Sequence, residues 1–521
     1  MKKLTSYIDF GKPYLFFTLA LVASLPFARI GMSVAQFSIL GLWFLEGNFR
    51  QKYKDLINSK AALILIAFYL LHLIGLLYTS DYEYGLKDIR IKLPLIFLPV
   101  VFATSEKLRN QNFSLILKVY IASVLVATLY SLYLRLTTDV SDFRQLSPFI
   151  SHIRLSLNVC LALFFSMYFG AIKYRGKIAF RFFFFGVSFW FLMFLVMIES
   201  ITGIFILIAG GYILIIYSLF KLEKGLTKSL SVAIIVLIPI LSVWYFNYTV
   251  KHYFTPKNSD IVLENFTAHG NAYRSDTIPL QVENGSWIGL YICEPELRKA
   301  WNGRSSLDYD GKDEKGQDLK FTLFRYMNSL GLRKDMDGMK AMSARDIRNV
   351  EMGIANVVYT KNFSLNSRLY KIFWEYQIME MGLNPGGHSV IQRFEYWKTA
   401  VRIISKHFIF GVGTGDVKQA FIDEYQSGKS VLAPQYQHRS HNQYLAIFTG
   451  FGLVGFILFI ISLVYPALLV KRFFTYHYFV FWLTMVISML VEDSLETQVG
   501  VTLFAFFNTF LLFAHDKGKN E

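Results

Sequence analysis

Residues 201–220 read Ile-Thr-Gly-Ile-Phe-Ile-Leu-Ile-Ala-Gly-Gly-Tyr-Ile-Leu-Ile-Ile-Tyr-Ser-Leu-Phe, twenty positions without an Asp, Glu, Lys, Arg or His. A helix rising 1.5 Å per residue turns this run into about 30 Å of apolar rod, the thickness of a bilayer's hydrocarbon core. Working outward, comparable runs occur at 13–28, 32–45, 61–78, 93–103, 113–136, 153–172, 178–198, 229–246, 442–470, around 479–491, and at 499–513. With 201–220 these make twelve candidate crossings, and the chain reads as an all-α polytopic membrane protein of about twelve transmembrane helices. Composition agrees, because 17% of the 521 residues are charged against about 25% in a soluble domain. The two cysteines, Cys160 in an apolar run and Cys293 in a polar region, exclude a disulfide scaffold.

The run at 93–103 is short and contains Pro94 and Pro99, so it is either a crossing or a re-entrant piece, and the orientation of everything upstream depends on which. Lys and Arg concentrate in short cytoplasmic loops. With twelve crossings and cytoplasmic termini, that side carries twenty Lys and Arg against five in the opposite short loops, and the charged residues of 199–200 and 492–496 on the far side are all acids. The exception is 80–92, where Lys87, Arg90 and Lys92 accompany Leu86, Ile89 and Ile91, the pattern of a short amphipathic helix on the outer surface. The first apolar run lacks a small-residue cleavage site and reads as an anchor. The net charge of +16 therefore orients the chain among membrane lipids and implies no nucleic-acid partner.

Between residues 247 and 441 the composition is that of a globular domain, with 25 Lys and Arg against 21 Asp and Glu. The predicted organisation is an N-terminal membrane domain of nine helices over 1–247, a large, mainly helical domain outside the cytoplasm over 248–440, a C-terminal membrane domain of three helices over 441–514, and a cytoplasmic tail at 515–521. Within the large domain, 258–294 reads as loops and short strands with a turn at Asn284-Gly285. Helical periodicity follows at 296–301, 319–329, 343–358, 367–381 and 389–404, with a polar loop at 308–317.

The return to the membrane carries the chemistry. It reads Arg393-Phe-Glu-Tyr-Trp397, then Gly411-Val-Gly-Thr-Gly415-Asp416, then His438-Arg-Ser-His441-Asn442-Gln-Tyr444-Leu445, then Gly450-Phe-Gly-Leu-Val-Gly455. His441 opens a membrane helix at its water-facing end beside Asn442 and Arg439. An imidazole can take a proton from a hydroxyl near neutral pH, and an arginine fork matches phosphate oxygens. A base beside a phosphate clamp suits glycosyl transfer from a lipid diphosphate; the plainer alternative is a polar helix start with Arg439 reaching to headgroups. The 411–415 glycines have neither a preceding strand nor a following Gly-Lys-Ser/Thr, so they read as a tight turn and not a nucleotide loop. His438 and His441 lack a third ligand in the sequence, so no metal is expected. His269, His388 and His407 read as structural or exposed.

On Arg393 with Trp397, Gly411-Val-Gly413, and His441-Asn442 with Tyr444-Leu445 leading to Gly450–Gly455, the chain resembles the O-antigen ligase-like family of bacterial inner-membrane glycosyltransferases. That family includes O-antigen ligases, O-antigen polymerases and protein O-oligosaccharyltransferases. The resemblance implies an enzyme without cofactor or metal that moves a glycan from undecaprenyl diphosphate to an acceptor hydroxyl at the periplasmic face, with lipid A core as the ligase acceptor. It implies His441 as the base and Arg393 as the holder of the diphosphate; Arg439, Asn442 and Trp397 are taken as substrate-binding. The family's further arginine is replaced by Ile201 in Glu199-Ser-Ile201-Thr-Gly203. Arg154, at the outer end of a helix, is either its substitute or an interfacial anchor. A polysaccharide transporter would predict ionisable residues at helix midpoints, which 201–219 and 232–242 lack, and a sensor or scaffold would not need His441.

Overall fold

The computed structural model describes residues 10–138, 143–198, 200–219, 225–256, 263–277, 281–360, 365–382, 389–430 and 432–515. The chain forms two compact units, one of residues 1–221, 396–430 and 437–521, the other of 222–395 and 431–436. Segment 396–430, which the sequence groups with the large domain, thus packs with the first unit.

Both units are mostly helical. Among the described residues six helices are long and apolar enough to cross a membrane: Lys60–Tyr78, Asn110–Thr137, His152–Lys173, Ile178–Met197, Lys228–Phe254 and Gln443–Leu469. A seventh results if Arg29–Glu46 and Phe49–Asn58, bent by 116°, are one span. Thr202–Tyr217, Tyr476–Val491 and Gln498–Phe513 are shorter apolar helices. The bend falls at Gly47 (φ 69°) and Asn48 (φ 56°), and Phe49–Asn58 is a helix where the sequence suggests a plain loop. Its Lys52 is buried under Trp43 (4.6 Å) and paired with Glu46 (2.7 Å).

The centre of the first unit is built from His152–Tyr168 and Gln498–Phe513, whose residues are almost all buried, as expected for helices apolar on every face. Phe507 lies 4.8 Å from Tyr120 and 5.6 Å from Phe165, and Phe510 stacks on Phe113 at 5.0 Å. Lipid tails are as apolar as leucine, so helices associate through fit and through interhelical hydrogen bonds of about 0.6–2 kcal/mol each. Gln36 donates to Thr502 (2.9 Å), Tyr478 to Asn508 (2.9 Å) and Tyr120 to Asn158 (2.9 Å). The Pro94–Thr104 helix begins at a proline and has 11 residues, about 16 Å, so by itself it covers half of a hydrocarbon core.

The predicted amphipathic segment forms the helix Tyr82–Lys92, capped by Asp81, whose carboxylate accepts from the Tyr84 N–H (2.9 Å). It departs from a surface helix in one respect: Asp88 and Lys92 are buried. The reason is a partner, Glu496, far along the sequence.

In the second unit the helix Leu226–Phe254 precedes a hairpin of Val282–Glu283 and Ser286–Trp287. Its turn residues Asn284 (φ 58°) and Gly285 (φ 72°) give the predicted Asn-Gly turn. Helices Glu294–Asn302, Leu319–Ser329, Ala344–Glu351 and Leu365–Glu380 follow near their expected places. Ala344–Glu351 stops short of the expected 358 because Gly353 turns left-handed (φ 71°), and Met336–Ala341, capped by Asp335, is an additional helix. The core gathers Leu297, Trp301, Tyr309, Leu323, Tyr326 and Met327. Beside it Arg325 forms a bidentate pair with buried Glu283 (3.0 and 3.1 Å) and lies 3.5 Å from the Trp374 ring.

Candidate active site

Helix Gln443–Leu469 starts at Asn442. The Asn442 Oδ1 accepts from the Leu445 N–H (3.1 Å) as a cap, and its Nδ2 donates to the Leu490 carbonyl (2.9 Å). Both ends of this side chain therefore hold protein, and Asn442 positions its neighbour. That neighbour, His441, sits at φ 45°, a backbone state uncommon outside glycine. Its Nδ1 lies 3.8 Å from Asp493 Oδ1, ion-pair range and longer than a hydrogen bond. The ring lies 5.6 Å from that of Tyr396, which is buried, while the His441 side chain is 37% exposed. A half-open imidazole within ion-pair range of a carboxylate has the makings of a general base.

Around this pair lies a charge network drawn from three segments. Arg439 Nη2 is 3.6 Å from Asp493 Oδ2 and Nη1 is 3.2 Å from Glu496 Oε2. Lys92 reaches the same Glu496 oxygen (3.2 Å) and also Asp88, and Gln443 donates to Glu496 Oε1 (3.3 Å). Burial would push the Glu496 carboxyl up, but the Lys92 and Arg439 cations outweigh it and hold it well below the usual carboxylate range. Burial likewise opposes the Lys92 ammonium, and Asp88 with Glu496 more than restores it. Glu496, Lys92 and Arg439 therefore face one another as charged groups, while burial pushes the Asp88 carboxyl up.

Arg154 comes to the same 493–497 loop. Its Nε donates to Thr497 Oγ1 (3.2 Å) and its Nη2 to the Asp493 carbonyl (3.3 Å), while Nη1 is buried without a hydrogen-bond partner. No carboxylate pairs with Arg154 among the described residues. Arg393 lies in the helix Ser389–Lys406, three residues before Tyr396 and one turn before Trp397, and residues three or four apart on a helix share a face.

The 411–415 glycines have their N–H groups occupied by the fold. Val412 donates to the Thr449 carbonyl (3.0 Å), Gly413 to that of Gly450 (2.9 Å) and Gly415 to Thr79 Oγ1 (2.8 Å). A Cβ on Gly411 would stand 2.4 Å from Gly450 backbone, and one on Gly452 would stand 2.3 Å from that of Ile409. These glycines let two backbones touch; they leave no cradle for phosphate. Asp416 closes the turn by accepting from the Ser80 and Asp81 N–H groups (2.8 Å each).

His441, Glu492 and Asp493 offer donor atoms within 4.8 Å of one another, the one described cluster of a kind that could hold a cation. Arg439 already neutralises Asp493, so a positive charge is built in. Tyr396, Asp493, Glu496, Asp88 and Lys92 escaped the sequence reading. The clue for two of them was present, because the charged residues of 492–496, a loop predicted on the same face as His441, are all acids.

Residues 352–460 match the family model described as O-antigen ligase, a stretch that includes Arg393, Tyr396, Trp397, Arg439, His441 and Asn442. Over that segment the chain is similar to the O-antigen ligase family. No curated protein matches the chain.

Proposed function

We propose that the protein transfers a glycan from undecaprenyl diphosphate to an acceptor hydroxyl, that of lipid A core, at the periplasmic face of the bacterial inner membrane. His441 removes the hydroxyl proton as the oxygen attacks the anomeric carbon, and the bond to the diphosphate breaks with its electrons leaving on phosphate oxygen. Asp493 stabilises the imidazolium that forms. Arg393 and Arg154 meet the developing diphosphate charge, with Arg154 standing in for the family arginine absent at Ile201, and Trp397 flanks the sugar. Diphosphate is a good leaving group, so positioning and fixed cations suffice without a metal. Direct displacement inverts the anomeric centre.

The same reading takes the chain through the membrane twelve times, with N- and C-termini in the cytoplasm and 248–440 as a periplasmic domain between helices 9 and 10. The observation that carries it is the His441–Asp493 pair at 3.8 Å, beside Arg154, with His441 inside the family segment. Replacing His441 by Ala in cells that express the protein at the wild-type level should abolish polymer-bearing lipopolysaccharide on a gel and leave glycan on the lipid carrier. An unchanged ladder would remove His441 from the chemistry, and a collapse to single repeats would assign the protein as a polymerase.

A further inference from the structure

The second unit contains a cleft of about 240 Å³, the room of roughly eight waters and enough for one sugar ring. Its walls include Trp287, Tyr291, Asn328, Arg333 and Lys334. Lys334 is held in place by its backbone, which donates to the Tyr291 carbonyl (3.0 Å) and accepts from the Cys293 N–H (2.8 Å). Lys334 is 3% exposed. Its Nζ donates to the Leu290 carbonyl (3.1 Å) and to Asn328 Oδ1 (3.2 Å). An ammonium has three donors, and no carboxylate pairs with this one among the described residues.

Among the described residues the neighbouring charges are taken. Arg333 grips Glu264 with both Nη atoms (2.6 Å each), and Glu283 holds Arg325. Asp335 accepts from the Tyr273 hydroxyl and the Gly338 N–H. A buried ammonium without counter-charge is disfavoured, and burial pulls Lys334 down to about 7. Tyr291 adopts φ 53°, a costly state for a bulky side chain that tends to mark function. Neither its hydroxyl nor the Trp287 indole N–H makes a hydrogen bond among the described residues. The cleft thus combines an aromatic face, unused donors and one cation lacking an anion.

We propose that this cleft binds a single carboxylate-bearing pyranose, a uronate-type sugar of either the donor or the acceptor glycan. Its carboxylate meets Lys334, and its ring lies against Trp287. One uncompensated positive charge matches a monoanion and leaves a phosphate dianion under-neutralised. The inference rests on the glycan-transfer reading only in taking the ligand to be a sugar.

The test is titration of detergent-solubilised full-length protein with glucuronate, glucose and inorganic phosphate. Glucuronate should bind at pH 6 at least tenfold more tightly than glucose. It should lose about tenfold in Lys334→Met and in Trp287→Ala, and about tenfold in wild type at pH 8, where the amine is mostly neutral. Tyr291→Phe, at the rim, supplies a second variant should Lys334→Met fail to fold, and should weaken binding through the lost hydroxyl. Equal binding of glucose, displacement of glucuronate by equimolar phosphate, or wild-type affinity in the variants overturns the proposal. Lipid-free oligosaccharides released from the carrier and from the acceptor then compete against glucuronate; the one that displaces it is the source, and displacement by neither overturns the proposal. His441→Ala should bind glucuronate as wild type does, so failure of the cleft and failure of the transfer reading are separately visible.

Discussion

Replacing Asp493 by Asn keeps the shape of the side chain and removes the charge that faces His441. On the proposed mechanism the imidazole becomes an imidazolium during transfer, so the carboxylate matters more in the transition state than before it. At the observed 3.8 Å, two unit charges attract by about 1 kcal/mol in a water-like medium and about 4 kcal/mol at an effective dielectric constant of 20. The His441 side chain is 37% exposed and that of Asp493 11%, so solvent screens the pair only in part and about 2 kcal/mol is the working value. That corresponds to a roughly 30-fold lower rate, at about 1.4 kcal/mol per decade. The assay is single-turnover transfer from a lipid-diphosphate donor by purified protein in detergent with EDTA present, Asp493→Asn against wild type and His441→Ala. A variant within twofold of wild type, when His441→Ala is inactive, would show that Asp493 does not stabilise the imidazolium. Loss of wild-type activity in EDTA with recovery on a divalent ion would instead assign His441, Glu492 and Asp493 to a metal.

Glu496→Gln leaves Lys92 with Asp88 alone and Arg439 with Asp493 alone. Breaking a buried pair costs about 3–5 kcal/mol, reduced here because each cation keeps one acid, so thermal unfolding should fall by several degrees; an unchanged midpoint would mean the network contributes nothing to stability. Gly411→Ala puts a Cβ 2.4 Å from Gly450 backbone at φ +71°, and should lose about 2 kcal/mol or more through strain and overpacking, visible as poor yield of monodisperse protein. Burial pushes the Asp416 carboxyl up, but the Asp81 and Ser80 N–H groups outweigh it and the carboxyl ends below its ordinary value. Its contribution is complete above the unfolded carboxylate range near 4 and is lost as pH falls through the lower folded value. Wild type should therefore lose more stability than Asp416→Asn between pH 5 and pH 3, and parallel curves would contradict this.

The helices could be read from the sequence because their evidence is local. An uncharged run such as 201–220 or an Asn-Gly between strand residues declares itself within a few positions. The family segment was legible for the same reason, with Arg393, Trp397, His441 and Asn442 lying in short motifs. What surrounds His441 was not. Arg439 meets Glu496 across 57 residues, and Lys92 meets it across 404, and no periodicity records a pairing at that separation. Lys92 looked like a surface charge because its own helix is amphipathic; only its distant partner lets it be buried. Asn442, expected to bind substrate, caps its helix and contacts Leu490, a pairing across 48 residues that no local pattern announces.

The enclosed position of Gln498–Phe513 bears on the order of assembly. This helix follows, in the chain, nearly every element that surrounds it, so the bundle must stay open at its centre while the ribosome makes the preceding five hundred or so residues. Asp493 and Glu496 sit on the loop that leads into that helix, and Arg154 grips the same loop. A nascent chain that has not yet seated this helix already contains Asp493 and Glu496, but the loop that carries them is not yet anchored on its C-terminal side. On the proposed mechanism, competence for transfer then depends on the seating of this helix, the keystone of the bundle.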